Sequence, residues 1–471
     1  METFYSILPL EIVGAGIIIS LVIEMYSKKS ETILPWISIA IFLFSGIYAL
    51  TTIDSVSETF NGMFVTGGNV NIFFVIFTFG AALVTLLSVD YLQKYDAYFG
   101  EYYILLQSSV LGMMLMAGAK DLFVIFLGLE LMSICFYALA GISRKKLKAN
   151  EASLKYFLLG AFATGFTVYG IALIYGSAQT TSLDFITRNF SSLTSNVLFV
   201  SGMLLFLIGF SFKIAAFPFH MWVPDVYQGS GTTVAGLFST GGKAAAFSAI
   251  LVTFFAVFSS SVANTFEPYL AVIAVLSMLF GSIVAIAQDD IKRMLAYSSI
   301  AHAGYMTIGL ASGNYDGVAG IIFYLLAYTF MNLGAFGIVS IIEGKGETNL
   351  SIKSYAGLAS KHPALAAMLS IFMFSLAGIP PFAGFFGKYY VFIAAIKAHL
   401  TWLAIVGVIS SVISVYFYLR IVVLMYFKEP ESELSVQKQN TGLVAVTISV
   451  LLVIILGISP GAIIKLITSF L

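Results

Sequence analysis

One cysteine, Cys135, and four histidines stand in a chain of 471 residues. The chain therefore cannot by itself ligate an iron–sulfur cluster or a cysteine-type zinc site. No G-x-G-x-x-G turn follows a strand-like segment, so no nucleotide cofactor is expected in this chain, and no metal. Charge is also scarce: 10% of residues are charged and 59% are apolar, whereas a soluble domain carries roughly 25% charged residues. The 23 basic and 23 acidic residues cancel, and nothing points to nucleic acid as a partner. What is missing is what water requires of a protein surface, and the partner implied is a lipid bilayer. The stretch from Met1 to Tyr26 lacks a basic leading region and an A-x-A cleavage pattern and is followed by Lys28 and Lys29. It reads as a first membrane span rather than a signal peptide.

A helix needs about 20 mostly apolar residues to cross the hydrocarbon core. Fourteen stretches qualify, beginning with 4–26, 33–53, 70–90, 102–119, 121–141, 152–176 and 197–217. They continue with 233–258, 267–287, 294–312, 318–342, 364–396, 400–427 and 442–468. The class expected is an all-α polytopic membrane protein. No gap between spans is long enough to fold alone, so 1–471 is one membrane domain, with 1–101 as an N-terminal part and 442–471 as a last helix.

Cytoplasmic loops keep the excess of Lys and Arg. One set of alternate loops holds Lys28, Lys29, Lys94, Arg144, Lys145, Lys146, Lys148, Lys292, Arg293, Lys345, Lys353, Lys361, Lys428 and Lys438. The other holds only Lys120, Arg188, Lys397 and Lys465, which places the first set inside and both termini outside. The Arg144–Lys148 cluster is chiefly such a topology signal, and it suits anionic lipid as well. The remaining five basic residues, Lys155, Lys213, Lys243, Lys388 and Arg420, fall within spans.

An ionised side chain at mid-helix costs roughly 2.5–3.5 kcal/mol, so Glu130, Lys213, Lys243 and Lys388 together cost on the order of 10–14 kcal/mol. A buried ammonium gives up its proton more readily than one in water, and a carboxylate beside it reverses that. A lysine next to a movable charge therefore loads and releases protons near neutral pH, and moving protons is the function this pattern suggests. Glu130, nine residues into the fifth span, and Lys213, about sixteen into the seventh, are both near mid-depth and are candidates for pairing. A static ion pair that fixes helix register is the other reading. Lys243 follows Gly241-Gly242 and precedes Ala244-Ala245-Ala246, small residues that allow close helix approach and leave room for water. Its alternative is snorkelling, which a position about ten residues from either span end disfavours.

Pro218 removes a backbone hydrogen bond beside Lys213 and should break the seventh span there. Gly378-Ile379-Pro380-Pro381 should do the same in the twelfth, with Gly384 and Gly387 loosening the path to Lys388. Unwound backbone at membrane depth belongs where protein buries it or where it lines a water-filled cavity; kinks that only shape packing are the other possibility. Weak internal similarity joins Phe210-Ser211-Phe212 before Pro218-Phe219 to Phe374-Ser375-Leu376 before Pro381-Phe382. These lie five spans apart, and an odd number of crossings inverts the second unit, as in transporters. His302 lies among small residues in the tenth span and suits either a relay or hydrogen-bonded packing. Glu151 and Lys155 form a helix-stabilising i,i+4 pair with a secondary place in any relay. Arg420 is expected to snorkel, and Glu11 and Glu24 receive no role.

Five ordered motifs then become recognisable. They are Gly128-Leu129-Glu130-Leu131-Met132-Ser133, Glu151-Ala152-Ser153-Leu154-Lys155-Tyr156, and Pro218-Phe219-His220-Met221-Trp222-Val223-Pro224-Asp225-Val226-Tyr227. Further along come Ile291-Lys292-Arg293-Met294-Leu295-Ala296-Tyr297-Ser298-Ser299 and Gly378-Ile379-Pro380-Pro381 through Gly384-Phe385-Phe386-Gly387-Lys388. Over essentially the whole chain, the sequence resembles the subunit N family of antiporter-like membrane subunits of bacterial NADH–quinone oxidoreductase, respiratory complex I. The resemblance implies about 14 transmembrane helices, with two inverted five-helix repeats (helices 4–8, within 102–258, and 9–13, within 267–427) and broken helices 7 and 12. It implies that Glu130 modulates Lys213, that Lys243 is the central relay and that Lys388 is the exit-side lysine; the sister subunit M typically carries glutamate there. It further implies that quinone reduction elsewhere in the complex shifts the Glu130–Lys213 pair. A proton from the cytoplasm would then pass through Lys243, by way of His302 and waters, to Lys388. NAD, FMN, iron–sulfur clusters and quinone belong, on this reading, to the whole complex, whose antiporter-like and small helical membrane subunits are the expected partners in the bacterial plasma membrane. An Mrp-type cation/proton antiporter subunit and a purely structural membrane subunit are the alternatives.

Overall fold

The computed structural model describes residues 5–95, 99–258, 266–430, 436 and 439–471; Lys438 lies outside them. Apolar surroundings leave a backbone only its own hydrogen bonds, and the described chain accordingly runs as helix after helix. Helices α1 (Leu8–Tyr26), α2 (Ser30–Thr51), α3 (Gly68–Lys94), α4 (Glu101–Gly118), α5 (Leu122–Ala140) and α6 (Leu147–Ala178) follow in order. Short α7 (Leu183–Arg188) and α8 (Phe190–Leu193) lead to α9 (Val197–Lys213), α10 (Trp222–Gly229), α11 (Thr232–Leu237), a π turn (Phe238–Gly242) and α12 (Lys243–Phe258). Then come α13 (Glu267–Ile286), α14 (Ile291–Ala311), α15 (Tyr315–Ile342), the short α16 (Leu358–Lys361), α17 (Pro363–Ala377), α18 (Ala383–Lys397), α19 (Thr401–Phe427), α20 (Asn440–Ile458) and α21 (Pro460–Thr468). Among the described residues, ten helices are long and apolar enough to cross a membrane.

The expected breaks are present. The seventh span stops at Lys213 rather than 217 and resumes at Trp222, and the twelfth is two halves, Pro363–Ala377 and Ala383–Lys397. Three features differ from the sequence reading. The last span is interrupted at Ser459, because Pro460 starts a helix better than it continues one. Helix α6 begins at Leu147, five residues early, since the Glu151–Lys155 pair extends it beyond the apolar window. The link after α2 carries a small antiparallel hairpin, Ser57–Thr59 with Phe64–Thr66, where no strand was expected.

Burial sorts the helices into an inner and an outer set. The apolar window of α15 and that of α11–α12 are each 94% buried, whereas those of α1 and α6 are 28% buried. The inner helices are covered on every side; the outer ones present residues such as Phe44, Phe162 and Val412 outward, as hydrocarbon contact requires. Small residues set the closest crossings. A Cβ at Gly112 of α4 would stand 2.7 Å from the Gly128 carbonyl oxygen of α5, and one at Gly281 of α13 would stand 2.6 Å from the Ala301 nitrogen of α14.

Described members of the two basic-residue sets lie at opposite ends of the bundle. At one end the Lys94 ammonium reaches the Glu343 carbonyl, Lys146 pairs with Glu347 at 3.2 Å and Lys292 meets the α10–α11 link. At the other, Lys120 binds Glu58 and Asp184. Both described chain ends are at this second end, where Tyr48 donates to the Tyr5 carbonyl and Asn69 to the Phe470 carbonyl.

Candidate functional site

Lys213 is the last residue of α9. Beyond it Ala215 turns into the left-handed region (φ 62°). The carbonyls released by the break are reclaimed locally: Ala216 N–H donates to Ser211 and the Trp222 indole to Phe212. Phe217 N–H finds the Ser277 hydroxyl of α13 at 2.9 Å. Unwinding therefore leaves these groups satisfied, as burial demands.

The Lys213 ammonium, 5% exposed, donates to Ser133 Oγ at 2.8 Å and to the Tyr137 hydroxyl at 3.2 Å, both on α5. Glu130, one turn before Ser133, accepts instead from Thr164 Oγ1 of α6 at 2.8 Å. The direct Glu130–Lys213 pairing considered above is thus absent among the described ion pairs, although the two charges remain within electrostatic reach. The Lys213 ammonium is held by serine and tyrosine hydroxyls of the helix that carries Glu130, and a hydroxyl both donates and accepts.

Lys243 opens α12 directly after the π turn, a distortion common at functional positions. It is 1% exposed, and its ammonium donates to the carbonyl and hydroxyl oxygens of Ser299 on α14. Gly242 is required here by packing, since a Cβ would stand 2.6 Å from Phe136.

His302 is three residues beyond Ser299 and shares its face of α14. Its Nδ1 hydrogen-bonds with the Tyr324 hydroxyl of α15 at 2.8 Å and its Nε2 with the Tyr418 hydroxyl of α19 at 3.0 Å. Tyr305, three further on, follows the same face. Its ring lies 4.8 Å below the Lys388 ammonium, a cation–π contact. Ser299, His302 and Tyr305 therefore form one polar stripe along α14 from Lys243 to Lys388.

Lys388, in the half-helix after the second break, turns back over it. Its ammonium donates at 2.9 Å to the carbonyl of Ala377, the last residue of α17, and at 2.9 Å to Ser411 Oγ of α19. A cation at the carbonyl end of a half-helix both fills an orphan acceptor and faces the negative end of the dipole. Gly378 makes this possible. At φ +85° its N–H and that of Ile379 close the end of α17, and a Cβ would stand 3.0 Å from Lys388 Cδ. Gly378→Ala is accordingly expected to cost about 1–2 kcal/mol of backbone strain and to displace Lys388. Thermal unfolding of the purified protein and proton transport in vesicles would both register it, and unchanged values in both would contradict this account.

Lys155 lies outside this buried line. It pairs with Glu151 at 2.7 Å, as expected, and with Asp225 of α10 at 2.8 Å; Asp225 also takes Arg293 of α14 at 2.8 Å. With the Lys155 side chain 41% exposed, the cluster ties α6, α10 and α14 together at the surface. Arg420 reaches the Ile286 and Gln288 carbonyls and Asp289. Lys292, counted above as a loop lysine, is instead buried and donates to the Gln228 and Ser230 carbonyls.

The hydroxyl groups escaped the sequence reading. Among 25 tyrosines nothing marks Tyr137, Tyr305, Tyr324 or Tyr418; the available signal was the i, i+3, i+6 spacing of Ser299, His302 and Tyr305 about a titratable residue. Glu343, directly after the long apolar run of α15, was also passed over. Among the described residues, no group of three or more His, Cys, Asp and Glu gathers to hold a metal ion.

Residues 119–414 match the family model described as NADH:quinone oxidoreductase/Mrp antiporter, transmembrane. A protein of Trichlorobacter lovleyi named NADH-quinone oxidoreductase subunit N is 47% identical over 89% of this chain and 86% of its own. Another, from Chloroherpeton thalassium and named subunit N 1, is 43% identical over 99% and 98%. Among solved structures, a chain of respiratory complex I from Thermus thermophilus with bound aureothin superposes with a TM-score of 0.85 at 30% identity, covering 98% of this chain and 99% of that one. A chain of the Mrp complex from Dietzia sp. superposes at 0.88 with 19% identity, over 99% and 97%, and shares the fold.

Proposed function

Because the chain belongs to the NADH:quinone oxidoreductase/Mrp antiporter family and, within it, to the subunit N branch of complex I, we propose that it translocates protons as a membrane subunit of an NADH–quinone oxidoreductase. The observation that carries this reading is the stripe of Ser299, His302 and Tyr305, which spaces two buried lysines along one helix face, neither of them paired with a carboxylate among the described residues. A lysine clamped by a carboxylate stays charged; one held by hydroxyls and carbonyls exchanges its proton.

The fold is read as fourteen crossings, with α9–α10, α11–α12, α17–α18 and α20–α21 each counted as one. Helices 4–8 and 9–13 are then two five-helix units, inverted because five is odd. Support comes from the breaks after Lys213 and Ala377, five crossings apart, and from the glycine-set contacts of α4 on α5 and α13 on α14. The lysine-rich end faces the cytoplasm and both termini the outer side of a bacterial plasma membrane.

In the mechanism, electron transfer elsewhere in the complex shifts the charge near Glu130. Ser133 and Tyr137 relay the change to Lys213, whose proton affinity follows. A proton taken from the cytoplasmic side occupies Lys243, passes by Ser299, His302 and the surrounding tyrosines with intervening water, and reaches Lys388 at the second break. This chain holds no redox centre in that scheme; NAD, FMN, clusters and quinone reside in the other subunits, antiporter-like and small helical ones being its neighbours in the membrane.

The reading is tested by purification and by one substitution. The tagged chain is expected to co-purify with flavin- and cluster-bearing subunits, and Lys213→Met in that complex is expected to lower the number of protons pumped per electron. Recovery with an Mrp assembly that shows sodium-dependent transport would replace the respiratory reading by the antiporter one. An unchanged stoichiometry would reduce Lys213 to a packing device.

A further inference from the structure

At the basic end of the bundle α15 terminates in Glu343, whose side chain is buried although the residue follows the last turn of a helix. A carboxylate there faces the negative end of the helix dipole and has lost its water. Its compensation is unusual: Oε1 accepts from the Tyr95 hydroxyl at 2.8 Å and from that of Tyr91 at 3.3 Å, and Oε2 accepts from Thr232 Oγ1 at 2.5 Å. The Lys94 ammonium goes to the backbone carbonyl of Glu343, not to its carboxylate. Among the described ion pairs none involves Glu343, while Glu347, four residues on, takes Lys146 at 3.2 Å and Lys148 at 4.0 Å. The chain has set cations against the more exposed carboxylate and hydroxyls against the buried one.

That choice matters for chemistry. A cation clamp would hold the carboxylate permanently ionised, whereas rotating hydroxyls let it take and pass a proton. Tyr95 is only partly buried and lies beneath the Lys146 ammonium, 4.0 Å from its ring centre, so this end of the cluster meets the aqueous side. Inward from Thr232, polar groups continue along α11 and the π turn. Ser230 Oγ and Asn332 Oδ1 are buried without a hydrogen-bond partner, which leaves places for water. Asn332 donates to Ser239 Oγ at 2.7 Å and to the Tyr328 hydroxyl at 3.1 Å. Tyr328 in turn neighbours Ser299, which holds Lys243.

We propose that Glu343, set among the Tyr91, Tyr95 and Thr232 hydroxyls, is the proton-collecting carboxylate that supplies Lys243. It takes a proton from the cytoplasmic side past Tyr95 and hands it on by the hydroxyls of Thr232, Ser239, Tyr328 and Ser299 with intervening water, Asn332 holding Ser239 and Tyr328 in place. The carboxylate gains one proton and loses one in each cycle. The charged and titratable groups around it are Tyr91 and Lys94 on α3, Tyr95 directly after it, Lys292 on α14, Tyr355, and Lys345 and Glu347 of its own loop. The inference rests on the proton-translocating reading above.

The test uses the assembled complex in vesicles, with Glu343→Gln, Glu343→Asp and Lys388→Met compared. Glutamine keeps an acceptor for the hydroxyls but cannot carry a proton. The Gln complex is expected to assemble normally and to acidify vesicles about 10²-fold more slowly, the lower end of the loss from a removed acid–base group. Its rate should fall further as the cytoplasmic-side pH is raised, and Asp should restore most of it. Normal pumping by Glu343→Gln beside a defective Lys388→Met overturns the role of Glu343 alone; normal pumping by both overturns the translocating reading. If the Gln complex does not assemble, Thr232→Val decides: slowed pumping supports the path, and wild-type pumping overturns it.

Discussion

Lys388→Met is expected to leave a complex that assembles but pumps fewer protons per electron, with the coupled rate falling by about 10²-fold if proton transfer at this residue limits turnover. Stability does not account for such a loss. Removing the ammonium leaves the Ala377 carbonyl only the longer hydrogen bond from Ser411 Oγ at 3.4 Å, a loss of at most about 1–3 kcal/mol. It also relieves the burial of a charge at membrane depth, worth roughly 2.5–3.5 kcal/mol. The two nearly cancel, and methionine fills a similar volume. Lys388→Arg separates charge from proton exchange, because a guanidinium keeps the cation at the end of α17 but does not release its proton. Pumping in the Arg variant at the wild-type level would mean that only a fixed positive charge is needed there.

Gly128→Leu is expected to be the most damaging single change on the other side of the bundle. Its first side-chain carbon would stand 2.7 Å from the Gly112 carbonyl oxygen and 2.9 Å from the Met116 nitrogen, both backbone atoms that cannot rotate away. Overpacking of even yielding side chains costs about 1–3 kcal/mol, so here α5 must move as a whole. It carries Glu130, Ser133 and Tyr137 with it, away from Lys213. The membrane level of the subunit should fall several-fold, and the complex that remains should pump poorly. Immunoblots of membranes and vesicle acidification measure the two effects; full levels with full pumping would show that α4 and α5 tolerate separation.

The breaks were legible because proline acts locally: Pro218 and Pro381 each deny a hydrogen bond to their own helix, whatever packs around it. The third interruption, before Pro460, was missed because a window of apolar residues reads through it. Boundaries elsewhere followed hydropathy within a few residues, except at α6, where charged side chains extend the helix past the apolar stretch.

That Lys213, Lys243 and Lys388 are buried charges was legible in the sequence alone, since their depth in apolar spans sets the cost of transfer into hydrocarbon; that Lys292 is buried was not, because it opens a helix next to a loop and only packing covers it. Which groups those charges meet was decided only by the tertiary structure. Lys213 reaches Ser133 across 80 residues of chain, and Lys388 meets Tyr305 and Ser411 from two other helices. The same holds for Glu343, which its position after an apolar run marks as a helix end, but which the packing of α3 and α11 makes a buried carboxylate. A helix period tells which residues share a face; it does not tell which face another helix will cover. Hydroxyls that pack and hydroxyls that relay have the same hydropathy, and only their orientation toward a titratable partner separates them.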